Sequence, residues 1–334
     1  MYFQIFNYFN LIIMSQNINL IDNYQCKSIL SLLKVTSLIV LKNKEDVVSI
    51  SECSNIIIFD LTFYKIKLFI NQFKDNYTLL DVQELKNNKL IITCWDRTIT
   101  IIQLLEKNTK YEIFQCLNDH QLNALAIIIL KSFEDEKYLA SSSTDTSVII
   151  WKKNKDDKYE CFTKLKDTHS QIESITESKK HKKLISGSAK GRIICFYDLK
   201  TFKLICKLEG ISINRCIRAL QMINDDFLIG AGNYAIYLFN ITTHQYIKSF
   251  ENNFELENNC VYLMKNGNIL ISNYLKYNKC ANISQYFFDE ENQNLVKISS
   301  HQLMHKKYIT SILELENNDI ITCGYDGLIK IWTY

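Results

Sequence analysis

A short sequence pattern recurs seven times along the chain at nearly constant spacing. In each copy a pair of apolar β-type residues precedes a polar turn, and an alternating strand follows the turn and ends in a large apolar residue. The strand-ending residues are Phe59, Ile102, Trp151, Phe196, Phe239, Phe287 (or its neighbour Phe288) and Trp332. Their intervals are 43, 49, 45, 43, 48 and 45 residues, which indicates one supersecondary unit per copy.

Two further apolar strands lie between successive copies, for example at residues 202–208 and 217–222. Each unit therefore holds four short strands, and the sequence contains no convincing helical periodicity. A four-stranded antiparallel unit cannot bury its own apolar faces, but a radial arrangement buries them against its neighbours. The sequence therefore predicts an all-β fold, a single seven-bladed β-propeller of four-stranded antiparallel blades.

Two of the units carry a polar set in the same order and with similar spacing. The set is His120, Ser141, Asp145 and Trp151 in the third unit, and His305, Thr322, Asp326 and Trp332 in the seventh. In these residues the chain resembles the WD-repeat β-propeller family, from about residue 20 to residue 334. The resemblance implies a structural network in which the turn Asp bonds the His, which in turn meets the Ser or Thr and the Trp N–H. Each such bond contributes about 1 kcal/mol, and an orphaned buried partner costs more.

The other units depart from this family pattern. The second keeps Asp96 but ends in Ile102, and the fourth has His169 and Ser186 but not the Asp. The position of the turn Asp holds Cys53, Lys190 and Asn233 in the first, fourth and fifth units, and the sixth has an enlarged turn from Asn273 to Cys280. We therefore expect apolar packing, more than the network, to hold the blades together.

The seventh unit reaches residue 334 directly after its third strand, whereas residues 24–32 are strand-like and otherwise unassigned. In the resembling family an N-terminal strand completes the last blade, so we expect residues 24–32 to close the ring. Residues 1–14 carry no charge and lack the positive region of a secretory signal. We expect residues 1–19 to be an apolar extension, either upstream of a true start at Met14 or packed on the domain, and residues 20–334 to form the propeller.

Composition and spacing exclude several functional classes. A formal net charge of +3 gives no basic surface for specific nucleic-acid binding, and no run of 18 apolar residues predicts a membrane span. No two of the 11 cysteines lie within four residues of each other, so we expect reduced cysteines in a cytoplasmic, reducing environment. The sequence has no nucleophile elbow, phosphate loop or zinc-protease motif. We expect no catalytic residue, metal or cofactor.

The family resemblance implies a binding surface at the turns before the conserved Asp and at the start of each innermost strand. The matching positions are Trp95, Tyr325, Tyr308, Thr310, Gln171, Glu173 and Arg218. Exposed aromatic and Arg side chains dominate interface energetics, so we expect Trp95 and Tyr325 to contribute most. A basic run at residues 179–183 falls in a turn and is interpreted as a solvated hairpin tip.

These expectations combine into a function. We expect a non-enzymatic protein-interaction scaffold, monomeric in itself, that holds a peptide or protein on its rim as a subunit of a larger intracellular assembly. A substrate receptor of a ubiquitin ligase is the alternative, although Trp-Asp-Arg at residues 95–97 precedes the third strand and does not follow it. A catalytic or small-ligand-binding propeller is a third, less favoured possibility.

Overall fold

The computed structural model describes residues 25–30, 34–71, 73, 77–188, 193–209, 217–233, 235–251, 256–275 and 277–333. Over these residues the chain forms seven four-stranded antiparallel sheets, which confirms the predicted all-β, seven-bladed propeller. Apart from strands and turns, the described residues form only three single-turn 3₁₀ segments, at Glu52–Ser54, Glu106–Asn108 and Glu134–Glu136. The predicted boundary at residue 20 and the extension over residues 1–19 lie outside the described residues.

The first four blades are continuous in sequence, and each is given from its innermost to its outermost strand. Blade 1 comprises β2 (Val35–Val40), β3 (Asp46–Ser51), β4 (Ile56–Asp60) and β5 (Lys65–Ile70), and blade 2 comprises β6 (Leu79–Leu85), β7 (Lys89–Cys94), β8 (Ile99–Leu105) and β9 (Lys110–Leu117). Blade 3 comprises β10 (Ala124–Ile129), β11 (Tyr138–Ser143), β12 (Val148–Lys153) and β13 (Tyr159–Leu165), and blade 4 comprises β14 (Ile172–Ser178), β15 (Lys183–Ser188), β16 (Ile194–Asp198) and β17 (Lys203–Leu208).

The last three blades complete the ring. Blade 5 comprises β18 (Ile217–Met222), β19 (Phe227–Gly232), β20 (Ala235–Asn240) and β21 (Gln245–Glu251), and blade 6 comprises β22 (Leu256–Leu263), β23 (Ile269–Leu275), β24 (Cys280–Asp289) and β25 (Asn294–His305). Blade 7 comprises β26 (Ile309–Glu314), β27 (Ile320–Gly324) and β28 (Leu328–Thr333), with β1 (Gln25–Leu30) as its outermost strand. We call the end where the second and third strands of each blade connect the upper face, and the opposite end the lower face.

Blade 7 is assembled from the two ends of the described chain. Strand β1 runs antiparallel to β28, and the register pairs Gln25 with Thr333 and Leu30 with Leu328. The two strands are far apart in sequence, yet their six paired residues supply the fourth strand that blade 7 otherwise lacks. Backbone pairing between β1 and β28 therefore closes the ring.

Apolar clusters hold neighbouring blades together. In the described residues seven such clusters occur, and each spans one blade boundary. One cluster joins Ile58 of blade 1 to Val82 of blade 2, and another joins Leu270 of blade 6 to Trp332 of blade 7. Radial burial of both faces of each sheet is the packing that the four-strand repeat requires.

The strand register corrects two of the strand-ending residues that the sequence analysis assigned, namely Phe196 and Phe287. Trp151 and Trp332 pair with Leu139 and Ile320, the residues near the start of the second strands of blades 3 and 7. At the equivalent pairing, Leu184 of blade 4 lies opposite Tyr197, not Phe196. In blade 6, Leu270 lies opposite Gln285, whereas Phe287 points outward with 52 % of its surface exposed. The equivalent position of blade 6 is therefore polar.

The enlarged turn predicted in the sixth unit is instead a longer hairpin. Strands β23 and β24 stay paired through Asn273 with Asn282, Tyr274 with Ala281 and Leu275 with Cys280. In blade 3 the equivalent ladder ends at Ser142 with Val148. The hairpin of blade 6 therefore extends farther than that of blade 3 at the upper face.

In the described part of the chain, no helix has the length and apolar character needed to cross a membrane.

The nine cysteines for which the structure describes a side chain are free thiols, of which Cys94, Cys195, Cys280 and Cys323 are buried and Cys53 and Cys116 are exposed. The histidine, cysteine and carboxylate side chains of the described residues form no group of three or more that could hold a metal ion.

Candidate functional site

The polar residues singled out in blade 3 form one connected, buried set. His120 Nδ1 lies 3.1 Å from Asp145 Oδ2, and His120 Nε2 lies 2.7 Å from Ser141 Oγ. Trp151 Nε1 donates to the same Ser141 hydroxyl at 2.8 Å. The hydroxyl, and not the imidazole, is therefore the group that the indole N–H meets, which differs from the expected arrangement.

Blade 7 repeats this geometry with a threonine at the centre. His305 Nδ1 lies 2.9 Å from Asp326 Oδ1, and His305 Nε2 lies 2.8 Å from Thr322 Oγ1. Trp332 Nε1 donates to Thr322 Oγ1 at 2.9 Å. His305, Thr322 and Trp332 are all at most 3 % exposed, so these groups cannot turn to solvent if a partner is lost.

The charges in blade 7 follow from this burial. Burial disfavours the ionised Asp326 carboxylate, but hydrogen bonds from His305 and from the backbone N–H groups of Lys306 and Leu328 hold its pKa below the usual range. Burial lowers the pKa of His305 despite the neighbouring carboxylate. At neutral pH the set is an ionised carboxylate with a neutral imidazole, an arrangement that orients the imidazole and stabilises the turn.

The network is not repeated in blades 4 and 5. His169 is exposed, and the neighbouring Thr168 is buried instead and donates to the Thr146 carbonyl oxygen at 3.1 Å. In blade 5, Gly230 occupies the position of the central hydroxyl, and a Cβ placed there would lie 3.3 Å from the Phe239 ring. An aromatic ring packed on a glycine thus replaces a hydrogen-bonded pair in blade 5.

Trp95 and Tyr325 both lie at the upper face but are not adjacent. Trp95 is 51 % exposed, its backbone N–H donates to the Thr78 carbonyl oxygen at 2.9 Å, and the side-chain amide of Asn123 in blade 3 lies beside its indole. Tyr325 of blade 7 lies under the ammonium of Lys34, which is 5.3 Å from its ring centroid. Because blade 1 stands between blades 7 and 2, the predicted pair is two separate aromatic positions.

A row of three tyrosine rings crosses from blade 6 to blade 7 at the upper face. Tyr274 and Tyr308 have centroids 4.1 Å apart, and Tyr308 and Tyr325 meet edge to face at 6.2 Å. The Tyr308 hydroxyl donates to Glu257 Oε2 at 2.6 Å, and Lys34 forms an ion pair with Glu52 at 2.8 Å. Burial raises the pKa of Tyr325, so its phenol stays protonated and can donate a hydrogen bond.

The remaining predicted partner-binding residues lie on the innermost strands or beside them. Thr310 donates to the Val35 carbonyl oxygen of blade 1 at 2.8 Å, so its hydroxyl links the first and last blades. Gln171 donates to Glu173 Oε1 at 2.8 Å, and both side chains are partly exposed. Arg218 is partly exposed at the start of β18, and its charge lowers the pKa of Tyr325 slightly against the effect of burial.

Sequence analysis did not identify Asp81, a carboxylate that links three blades. Asp81 of blade 2 accepts from the backbone N–H of Ile127 in blade 3 at 3.0 Å and from the Ser37 hydroxyl in blade 1 at 3.4 Å. Burial raises the pKa of Asp81 to about 6. Its only sequence signal was a carboxylate within an apolar strand.

The raised pKa of Asp81 predicts a pH dependence of stability. The folded chain keeps the proton up to about pH 6 and the unfolded chain loses it near pH 4, so this group makes stability fall as pH rises between these values. We expect Asp81→Asn to abolish this slope without raising the free energy of unfolding at pH 7, because its NH2 group must face the backbone N–H of Ile127 or of Val82, both of which donate to the carboxylate. Urea titrations at pH 4.5, 5.5 and 7 measure both, with the exposed Asp156→Asn as the control. A variant with an unchanged slope would contradict the assignment.

Carboxylates at the lower face also bridge neighbouring blades. Each lies near the end of an innermost strand and accepts from backbone N–H groups in the first turn of the preceding blade. They are Glu84 (Lys42 N, 2.5 Å), Glu177 (Lys131 N, 2.7 Å, and Ser132 N, 2.8 Å) and Glu314 (Lys265 N, 2.7 Å). Charge-assisted bonds of this type fix the angle between blades as well as adding stability.

Comparison with known proteins agrees with this architecture. Residues 296–333, which contain the network of blade 7, match the family model described as "WD domain, G-beta repeat". The crystal structure of the WD40 β-propeller domain of Doa1 superposes with a TM-score of 0.68, covering 91 % of this chain and 93 % of that one at 19 % identity. At that identity the likeness concerns the fold.

Two curated plant proteins match a shorter stretch. Pre-mRNA-processing factor 19 homolog 2 of Arabidopsis thaliana is 26 % identical over 121 residues, and pre-mRNA-processing factor 19 of Oryza sativa subsp. japonica is 23 % identical over 127 residues. These matches cover 36 % and 37 % of this chain but only 22 % and 24 % of the relatives. The chain thus spans less than a quarter of the length of these relatives.

A closed ring of seven four-stranded blades, with a tyrosine row on one face, defines the protein as a seven-bladed β-propeller. Its blades 3 and 7 carry the His, Ser/Thr, Asp and Trp network, and the family model matches blade 7. The fold is therefore that of a WD-repeat β-propeller, and blade 7 matches the family's repeat.

Proposed function

We propose that the chain is a non-enzymatic scaffold that binds a peptide or protein partner on the upper face, across blades 6, 7, 1 and 2, as a subunit of a larger intracellular assembly. The observation that carries the proposal is the row Tyr274, Tyr308 and Tyr325, continued by Lys34. Aromatic side chains that are held rigidly by their neighbours supply large contact area at low entropic cost, and they are enriched at interface hot spots.

The names of the two plant relatives suggest which assembly to test first. Both are pre-mRNA-processing factors, so we propose an assembly that acts on pre-mRNA as the first candidate. The free cysteines of the described residues favour a reducing compartment, and we propose the cytoplasm on the basis of composition. The experiment below reports on the assembly independently of the compartment.

The proposal predicts that the upper face can be disabled without unfolding the ring. In the variant Trp95→Ala/Tyr325→Ala, we expect recovery of a stoichiometric partner by affinity purification from the chain's own cells to fall at least about tenfold, because two aromatic anchors each contribute about 1–2 kcal/mol. The single variants assign the loss to blade 2 or to blade 7. Purification at two salt concentrations followed by mass spectrometry measures the recovery.

The matched control truncates two apolar side chains elsewhere. Phe63 is 70 % exposed in a lower-face turn, and Ile113 is 59 % exposed on an outermost strand. We expect Phe63→Ala/Ile113→Ala to retain the partner. A Trp95→Ala/Tyr325→Ala variant that loses stability but keeps its partner would show that another face binds.

A further inference from the structure

The hairpin between β23 and β24 projects an aromatic side chain from the upper face. Its two additional residue pairs, Tyr274 with Ala281 and Leu275 with Cys280, extend the sheet by roughly 7 Å at about 3.4 Å per residue. Tyr277 follows at the turn and is 80 % exposed, the highest exposure of any large apolar side chain that the structure describes. A tyrosine that is 80 % exposed at the tip of a paired hairpin contributes little packing within the blade.

The projecting hairpin is joined to the tyrosine row. The Tyr274 ring at the base of the hairpin packs against Tyr308 of the next blade at a tilt of 35°, with centroids 4.1 Å apart. Tyr308 is fixed in turn by its hydrogen bond to Glu257. The hairpin and the row therefore form one aromatic surface, which we call the blade 6–7 surface and define as Tyr274, Tyr277, Tyr308 and Tyr325.

At the hairpin end of the blade 6–7 surface the exposed charge is positive, whereas Glu52 of blade 1, paired with Lys34, and Glu173 of blade 4 lie near Tyr325 at the other end. Lys279 follows Tyr277 in the turn, and Lys306 and Lys307 follow His305, which pairs with Ala281 at the same end of the sheet. All three lysines are exposed, and in the described part of blades 6 and 7 the nearby carboxylates are not. Glu257 is 5 % exposed and accepts from Tyr308, and the Asp326 side chain is 6 % exposed and accepts from His305.

We propose that the blade 6–7 surface binds an acidic segment of a partner protein that carries an aromatic or large aliphatic anchor. The anchor packs beside Tyr277 and Tyr274, and the flanking Asp or Glu side chains face Lys279, Lys306 and Lys307. This inference rests on the proposed function and specifies its ligand. Complementary rim charges select the partner and accelerate association, whereas the aromatic contacts supply the affinity.

A single-stranded RNA is the competing ligand of similar chemistry, because bases stack on tyrosine and phosphates attract lysine. Two observations favour the protein ligand. The whole chain has a formal net charge of only +3, well below a nucleic-acid footprint, and buried carboxylates Glu257 and Asp326 lie beneath the lysines. Glu257 and Asp326 weaken the attraction of the three lysines for the many charges of a phosphate backbone. A peptide with only a few Asp or Glu side chains is repelled less.

The test is a selection of phage-displayed random twelve-residue peptides on the full chain, followed by anisotropy measurements on the best synthetic peptide. We expect selected peptides to be acidic with one aromatic or large aliphatic residue. Lys279→Glu/Lys306→Glu/Lys307→Glu should weaken binding about tenfold or more, and binding should fall with salt. Lys152→Glu/Lys155→Glu/Lys158→Glu, which makes the same net change on blade 3, should alter binding less than about twofold.

A second variant separates the aromatic contribution from the charge. We expect Tyr277→Ser to weaken the peptide about fivefold while leaving the salt dependence unchanged, and its exposed position leaves the fold intact. Neutral or basic selected peptides, equal losses in both triple variants, or tighter binding of a ten-nucleotide oligouridylate at the same lysines would each overturn the proposal.

Two variants, compared for recovery of the cellular partner, distinguish failure of the acidic-segment inference from failure of the proposed function. If the Lys279→Glu/Lys306→Glu/Lys307→Glu chain keeps its cellular partner while Trp95→Ala/Tyr325→Ala loses it, the acidic-segment inference is wrong and the upper-face scaffold stands. If both variants keep the partner, both are wrong. If both lose it and the selected peptide is acidic, both are supported.

Discussion

Removal of the ring-closing strand is expected to have the largest effect on this protein. A chain lacking residues 1–32 loses β1, so β28 becomes an unpaired edge with six exposed backbone positions, and blade 7 no longer connects the two ends of the ring. We expect this truncation to form aggregates or open oligomers and to lose the single cooperative thermal transition, because an uncovered apolar edge strand pairs with other chains. Light scattering after size exclusion, together with a thermal melt, measures both effects.

The control for this truncation removes residues 1–24 and keeps β1. We expect that chain to remain monodisperse and to melt like the full chain. If the chain without residues 1–32 melted in the same way, pairing between β1 and β28 would not be what closes the ring.

Replacing Asp326 by alanine is expected to lower the free energy of unfolding by about 2 kcal/mol, since His305 Nδ1 then has no acceptor in a buried site. The loss also removes the hydrogen bonds that the Lys306 and Leu328 N–H groups donate to the carboxylate. Asp145→Ala in blade 3 should behave alike, because Asp145 binds His120 in the same geometry. Urea denaturation of each variant at pH 7 measures the change.

Asp96 of blade 2 provides a matched control for Asp326. It occupies the same turn position and accepts from the backbone N–H and hydroxyl of Thr98, at 2.9 and 2.5 Å. No histidine precedes it in its blade, so we expect Asp96→Ala to cost less than half as much as Asp326→Ala. If both variants lost the same free energy of unfolding, the hydrogen bond between Asp326 and His305 would add nothing to the stability that the turn hydrogen bonds supply.

The fold was predictable because the same information is repeated seven times. A period near 45 residues, four apolar strands per period and two full polar sets define blade number and strand order, even where single units diverge. The network in blade 7 was predictable for a related reason: His305, Asp326 and Trp332 lie in contiguous or hairpin-linked segments, so their contact depends on local geometry only.

What the sequence could not resolve depends on single-residue register and on contacts between blades. Phe196 and Tyr197 are adjacent aromatics on opposite sides of a strand, and a period that varies by several residues cannot choose between them. Asp81 is recognisable only once the backbone of blade 3 is known, because its partner is the N–H of Ile127. The hairpin of blade 6 resembled a loop because its polar residues pair through the backbone.

The pairing of β1 with β28 also constrains the order of events during synthesis. About 300 residues separate Leu30 from its partner Leu328, so β1 leaves the ribosome long before its partner strand exists. At roughly 5–20 residues per second, that interval lasts some 15–60 s. Blades 1 to 6 can form pairwise in that time, but the ring stays open with β1 unpaired. Until the last strand is released, the unpaired edge of β1 is therefore open to pairing with other chains.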